Sequence, residues 1–211
     1  MKKLSFSLLL LTIAIAAGSC RKDALKNLDG TEPIIYITEH DSSVNFSSYQ
    51  RFRITDSVNV IRDGSLQKRD YTSYDSALIA EIREVMIQRG FQPETDQSKT
   101  PDIGINISRI TTEYTGIIDY SNYWGGYGSY WDPFYWGYGG YGYSFPYAFG
   151  TYTFREGALS VDMIDLKNPD TATNKLVSIW TGLARGTGIF NGANINEVVR
   201  ALFSQSPYIQ H

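Results

Sequence analysis

Cys20 is the only cysteine in the chain, and its surroundings define what its thiol can do. It follows Met1-Lys2-Lys3, an apolar run from Leu4 to Ala17, and then Gly18-Ser19. A basic start, about a dozen apolar residues and a small-residue junction form an export signal. A cysteine at that junction reads most simply as the residue that becomes lipid-modified and begins the mature protein. Once Cys20 is acylated, no sulfur remains for a disulfide, a thiolate metal site or a nucleophile.

The other groups able to do chemistry are few and scattered. His40 and His211 are the only histidines, far apart and without a cysteine or glutamate cluster at ligand spacing, so no metal site is expected. His40-Asp41-Ser42 has the composition of a catalytic triad but is merely consecutive, and reads as a turn. Asp162 and Asp165 fall on one strand, where alternation sends them to opposite faces and prevents an acid–base pair. Asp162, between Val161 and Met163, reads as a hydrogen-bonded structural carboxylate. Gly182, Gly186, Gly188 and Gly192 precede a helix but match neither a dinucleotide fingerprint nor a Walker loop. Arg185-Gly186-Thr187-Gly188 reads as a flexible strand-to-helix connection, and no cofactor is expected.

Ala17-Gly18-Ser19-Cys20 resembles the bacterial lipobox, with Ala17 where leucine is usual. Cleavage after Ala16 or Gly18 by the ordinary signal peptidase is the second reading. A membrane-spanning helix is disfavoured, because the run is shorter than the roughly 18 apolar residues needed and is interrupted by Ser5, Ser7 and Thr12. The resemblance implies a diacylglycerol thioether plus an amide-linked acyl group. One acyl chain holds a protein only marginally, whereas several hold it stably. Arg21-Lys22-Asp23 lacks an aspartate directly behind Cys20. By analogy with known sorting rules the expected location is the outer membrane, on its periplasmic or surface face. Lys22-Asp23 is only faintly like a surface-export tag.

Removing residues 1–19 leaves about 190, enough for one domain with a sizeable core. The chain carries a net charge of −3, and the signal takes Lys2 and Lys3 with it, leaving −5. No clustered basic face appears, so nucleic acid is not expected as a partner.

The most unusual stretch lies within an insertion at 118–150. From Tyr120 to Gly150, 31 residues hold nine Tyr, three Trp, three Phe and eight Gly, with Asp132 the only charge. Neither helical nor strand periodicity is visible, and Gly125-Gly126, Gly139-Gly140 and Asp132-Pro133 favour an irregular loop or broken hairpin. Tyrosine and tryptophan combine a large apolar ring with a polar tip, which suits half-wet surfaces. Tyr123, Trp124, Tyr130, Trp131, Tyr135 and Trp136 are therefore the candidate contact patch, for an envelope protein, a glycan or another copy of the chain. The alternative is an insertion that packs some rings on its own domain and is otherwise disordered. Sugar binding requires two or three rings held beside amide or carboxylate groups, and the insertion itself offers only Asn122 and Asp132.

The elements that must position these groups follow from periodicity. A polar tether at 20–33 leads into a domain at 34–208. Ile34–Thr38 and Tyr49–Thr55 read as strands, with a turn at Asp63-Gly64. Tyr74–Arg89 reads as a helix with Ser73 as N-cap and Gly90 at C′. Ile103, Ile105 and Ile107 alternate with polar residues in a third strand. Two more are expected from Tyr152 to Lys167 and from Lys175 to Arg185, joined by a turn through Asn168-Pro169-Asp170 and Asn174. A closing helix spans Ile195–Ser204, with Asn194 and Glu197 as a capping box. The order β-β-α-β-β-β-α predicts a single α+β or mixed α/β domain. Its sheet would have about five strands, mostly antiparallel, with both helices on one face.

A spaced series in this frame resembles the DUF4136 family of bacterial (Bacteroidetes-type) lipoproteins of unknown function. It comprises Tyr49-Gln50-Arg51-Phe52, Arg89-Gly90-Phe91, Pro101-Asp102-Ile103, the segment from Glu156 to Asp165, Trp180-Thr181-Gly182, and a terminal helix ending near Pro207. Ser178-Ile179 stands where Val-Trp is commoner. The resemblance implies an envelope-facing α/β domain and brings no catalytic residues. The expected function is that of an outer-membrane-anchored, non-enzymatic binding or structural component. A cryptic glycan hydrolase using Asp132 or Asp162, and a small-ligand carrier, are the alternatives.

Overall fold

The computed structural model describes residues 33–63, 65–111, 116–119, 133–146, 151–154 and 157–211, with 116–119 and 151–154 as backbone only. Cys20, the signal, Tyr123, Trp124, Tyr130, Trp131 and Asp132 lie outside the described residues. Strands β1 (Ile35–His40), β2 (Arg51–Ile54), β3 (Val58–Arg62), β4 (Ser65–Asp70) and β5 (Gln92–Pro93) are joined by β6 (Ile103–Thr111), β8 (Gly142–Ser144), β10 (Ala158–Asp170) and β11 (Lys175–Arg185) in one open mixed sheet. Strands β7 (Gly116–Asp119) and β9 (Thr151–Phe154) pair separately as an antiparallel ribbon at the two roots of the aromatic insertion. The helices are α1 (Ser73–Gln88) and α2 (Ile195–Ser204).

The sheet has nine strands among the described residues rather than five. The expected elements form its centre, in the order β1-β11-β10-β6-β2, with antiparallel pairing from β1 to β6 and parallel pairing of β2 to β6. The additions are peripheral. β3 and β4 make a hairpin around the Asp63 turn, β5 adds two residues outside β2, and β8 pairs with the start of β11. Thr151–Phe154 and Ala158–Asp170 are two strands where one was expected. The β10–β11 turn is also tighter, confined to residues 171–174. Asp170 Oδ1 accepts from the Ala172 and Thr173 amides there, and Asn174 takes φ +53°.

Alternation gives the sheet two different faces. Ile103, Ile105, Ile107, Leu159, Val161 and Met163 point to one, where α1 contributes Leu78, Ile82 and Met86 and α2 contributes Val198, Val199, Leu202 and Phe203 to a single core. Both helices pack on this face. A bulge in β11 opposite Met163 and Ile164 lets Ile179 and Trp180 both reach that core. Trp180 then lies along its own strand over Gly182, where a Cβ would stand 2.4 Å from the ring carbon Cη2. This explains Trp180-Thr181-Gly182 physically: the ring occupies the space a side chain at 182 would need. Gly182 lies within β11, as expected, and the connection to the second helix begins past Arg185, at Gly186 (φ +138°).

The caps also differ from expectation by one residue and one mechanism. Thr72, not Ser73, caps α1, in a reciprocal capping box with Asp75. Asn194 makes no side-chain cap for α2, because a 3₁₀ turn at Gly192–Asn194 precedes the helix and is itself capped by Asn191.

Candidate functional site

A groove of about 620 Å³ lies along the β2/β5 edge of the sheet, and the local sequence explains why it exists. Ile54 pairs with Ile105 and Asn59 with Ser108, so the path from β2 to β3 carries two more residues than β6 opposite. The surplus at Thr55–Ser57 interrupts the ladder. The Asp56 amide is released from the ladder and donates instead to the Tyr135 hydroxyl at 3.1 Å. That bond ties the insertion to the groove and fixes one tyrosine in its wall.

Tyr71 forms another wall, 61% exposed. It precedes the Thr72–Asp75 capping box, and its hydroxyl bonds Ser76 Oγ at 3.2 Å, so the helix start positions the ring. The floor is apolar, from Phe52, Ile54, Ile79 and Pro93. The loop beyond β5 is held by Arg53, whose guanidinium donates to the backbone carbonyls of Glu94, Asp96 and Lys99. Glu94 is occupied by Arg51 at 3.4 Å. Arg83, exposed on α1, has no ion-pair partner among the described residues. Thr55 is fully buried beside the floor, and its hydroxyl has no hydrogen-bond partner. Burial raises the Tyr135 phenol above its ordinary value.

Of the expected contact residues, Tyr135 lines this groove, whereas Trp136 is only 4% exposed. The Trp136 ring lies over Gly104, whose missing Cβ would stand 2.9 Å from it, and clusters with Ile164, Leu166 and Leu176 on the face away from the helices. Trp136 therefore packs on its own domain. The exposed neighbour is Phe134, at 74%. The described part of the insertion is also more regular than its composition indicates, with a 3₁₀ turn at Pro133–Trp136 and strand β8.

Asp162 sits at the centre of the same far face, fully buried. Thr181 Oγ1 donates to it at 2.7 Å and Ser160 Oγ at 3.3 Å. Asn106 stands opposite it in the ladder, and its side-chain oxygen has no partner. Burial pushes the carboxyl up to about 8, with the two hydroxyls pulling the other way. Asp165 points to the helix side, where it accepts from the Tyr49 hydroxyl at 2.7 Å and from the Lys167 and Asn168 amides. The two carboxylates occupy opposite faces, as alternation requires. His40 closes β1 and Asp41-Ser42 leads into the turn that follows, with Asp41 Oδ1 accepting from the Ser43 amide and hydroxyl. His40 stacks on Tyr208, with ring centroids 4.1 Å apart.

The residues behind the family resemblance are mostly framework. Asp102 accepts from the Gln50 and Arg51 amides, and Trp180 Nε1 donates to Ser206 Oγ at 2.8 Å. Arg89 donates to the carbonyls of Ser206, Ile209 and Phe203, which fastens the C-terminus to the end of α1. A family model, domain of unknown function DUF4136, matches residues 37–208. The chain belongs to the DUF4136 family. Its structure resembles the crystal structure of a DUF4136 family protein from Bacteroides thetaiotaomicron, with a TM-score of 0.68 and 28% identity, covering 85% of this chain and 98% of that one. Two PelC dodecamer structures from Paraburkholderia phytofirmans match at a TM-score of 0.38 with 6% and 7% identity, covering 85% of this chain and 99% of theirs. No curated protein matches the sequence.

Of the groove's lining, sequence reading names Tyr135 as a contact candidate and passes over Tyr71, Arg83 and Thr55. The three come from separate segments that meet only at the sheet edge. The polar run Thr55-Asp56-Ser57 at the end of a strand was the one local signal of a broken ladder.

Proposed function

We propose that this DUF4136 protein is an outer-membrane-anchored lipoprotein whose domain serves the envelope as a non-enzymatic binding component. The observation that carries this reading is the groove, an open concave surface with an apolar floor, fixed tyrosine walls and an exposed guanidinium. Ligand sites commonly combine these features at volumes of about 300–1,000 Å³. The lone Cys20 behind an export signal supports anchoring. The insertion's remaining aromatic residues, among them Tyr123, Trp124, Tyr130 and Trp131, are by composition further candidates for contact with a partner or a second copy. Among the described residues, no helix is long and apolar enough to cross a membrane.

Cell fractionation of the native host tests the reading. The wild-type chain is expected in the outer-membrane fraction, and a Cys20→Ser variant in the soluble or inner-membrane fraction. Proximity labelling should recover envelope neighbours that a Tyr71→Ala/Arg83→Ala variant no longer labels. Membrane partition independent of Cys20 defeats the anchor, and unchanged neighbours defeat the binding role.

A further inference from the structure

The groove has a chemistry more specific than a generic contact surface. Its lining carries Arg53 and Arg83 against Asp56 and Glu94, so the charges balance. Arg53 is engaged by three backbone carbonyls and Glu94 by Arg51. That leaves one cation, Arg83, and one carboxylate, Asp56, whose Oδ1 accepts, among the described residues, only from the Ser57 hydroxyl at 3.0 Å, with the exposed Gln97 amide also in the lining. A balanced pair of this kind does not select a strongly charged ligand.

Two tyrosines line the same groove, each with its hydroxyl already bonded to the protein, at Ser76 and at the Asp56 amide. Their rings are therefore presented as fixed faces at little further cost in side-chain entropy. The buried Thr55 hydroxyl without a partner is an independent sign that a polar occupant, a water or a ligand hydroxyl, belongs there.

A sugar ring has this same profile. Its C–H face packs on an aromatic face, and its edge hydroxyls each donate and accept. An acyl chain would leave Arg83, Asp56 and Gln97 without use. An extended peptide adding to the sheet would need free backbone donors at the edge, yet β5 has two residues and one is Pro93, which has no N–H.

We propose that the groove walled by Tyr71 and Tyr135, with Arg83, Asp56, Gln97 and Thr55 as polar contacts, binds an uncharged oligosaccharide. This rests on the reading of the domain as a binding component and names its ligand class.

Titration of the detergent-purified full-length protein with cellohexaose, chitohexaose, maltohexaose, hexagalacturonate and an unstructured decapeptide tests it. At least one of the three neutral hexasaccharides should bind saturably. Tyr71→Ala and Arg83→Gln, both at exposed positions, should each weaken that binding about tenfold with unchanged circular dichroism, as loss of one stacked ring or one charged hydrogen bond implies. Tyr135→Phe, which keeps the ring, should weaken it less than Tyr71→Ala. The proposal is overturned if no neutral hexasaccharide saturates at millimolar concentration, if only hexagalacturonate or the peptide binds, or if the Tyr71→Ala/Arg83→Gln double variant binds within twofold of wild type. Each of these leaves the Cys20-dependent membrane partition untouched. A soluble protein that still binds the sugar would fail the anchor and keep the groove.

Discussion

Burial of Asp162 should make the domain's stability fall as pH rises through the neutral range. Its carboxyl titrates near 3.8 in the unfolded chain and is pushed up to about 8 in the fold by complete burial. Between those two values the folded state holds a proton that the unfolded state has lost. Stability therefore decreases with increasing pH, the reverse of an ordinary salt-bridged carboxylate. Each pKa unit corresponds to about 1.4 kcal/mol, so the loss between pH 5 and pH 8 is on the order of 3 kcal/mol. That is a large share of the 5–15 kcal/mol or so typical of a domain. Asp70, Asp96 and Asp170 have lowered values, so their contributions are lost as pH falls through the acid range and not as it rises across this window. Asp162→Asn keeps a hydrogen-bond acceptor for Thr181 and Ser160 while removing the ionisation. Urea unfolding at pH 5, 6, 7 and 8 is the assay. The wild-type midpoint should fall steadily across the series, and the Asn variant should be nearly flat and the more stable of the two at pH 8. A wild-type stability that is constant or rises from pH 5 to 8 would refute the reasoning.

Three further substitutions test the packing that positions the groove and the core. Gly182→Ala should cost about 1–3 kcal/mol by forcing the Trp180 ring off its site, read as a lower unfolding midpoint and altered tryptophan fluorescence. An unchanged midpoint would mean the ring has room to spare. Trp136→Ala should cost about 3–5 kcal/mol as a buried ring is removed, whereas Phe134→Ala next to it, largely exposed, should stay within about 0.5 kcal/mol. Equal effects in guanidinium titrations would deny that Trp136 packs on its own domain.

The parts of the fold legible in the sequence are those whose burial is one-sided and sustained. The alternation of Ile103, Ile105 and Ile107, and the apolar stripe of α1, each encode a single face against the common core. β4 was not legible because Ser65–Asp70 carries five exposed residues and its pairing comes from the turn at Asp63, not from a buried pattern. β5 spans two residues, and β8 lies in glycine- and tyrosine-rich sequence with no alternation to detect. Asn194 and Glu197 matched a capping pattern, but the chain enters α2 through a 3₁₀ turn that takes the cap's place. The groove was hidden for a related reason. Tyr71, Arg83 and Thr55 are unremarkable one at a time, and only the broken ladder between β2 and β3 brings them into one wall with Tyr135. The aromatic insertion announced itself by composition, yet composition could not separate Tyr135 in the groove from Trp136 over Gly104.

The proposed outer-membrane anchor is a covalent lipid on Cys20, so the mass of the mature N-terminal peptide is the most direct measurement. The account predicts a peptide beginning at Cys20 and bearing a diacylglycerol thioether together with an amide-linked acyl group. A mature chain that begins elsewhere, or a Cys20 with a free thiol, would contradict it.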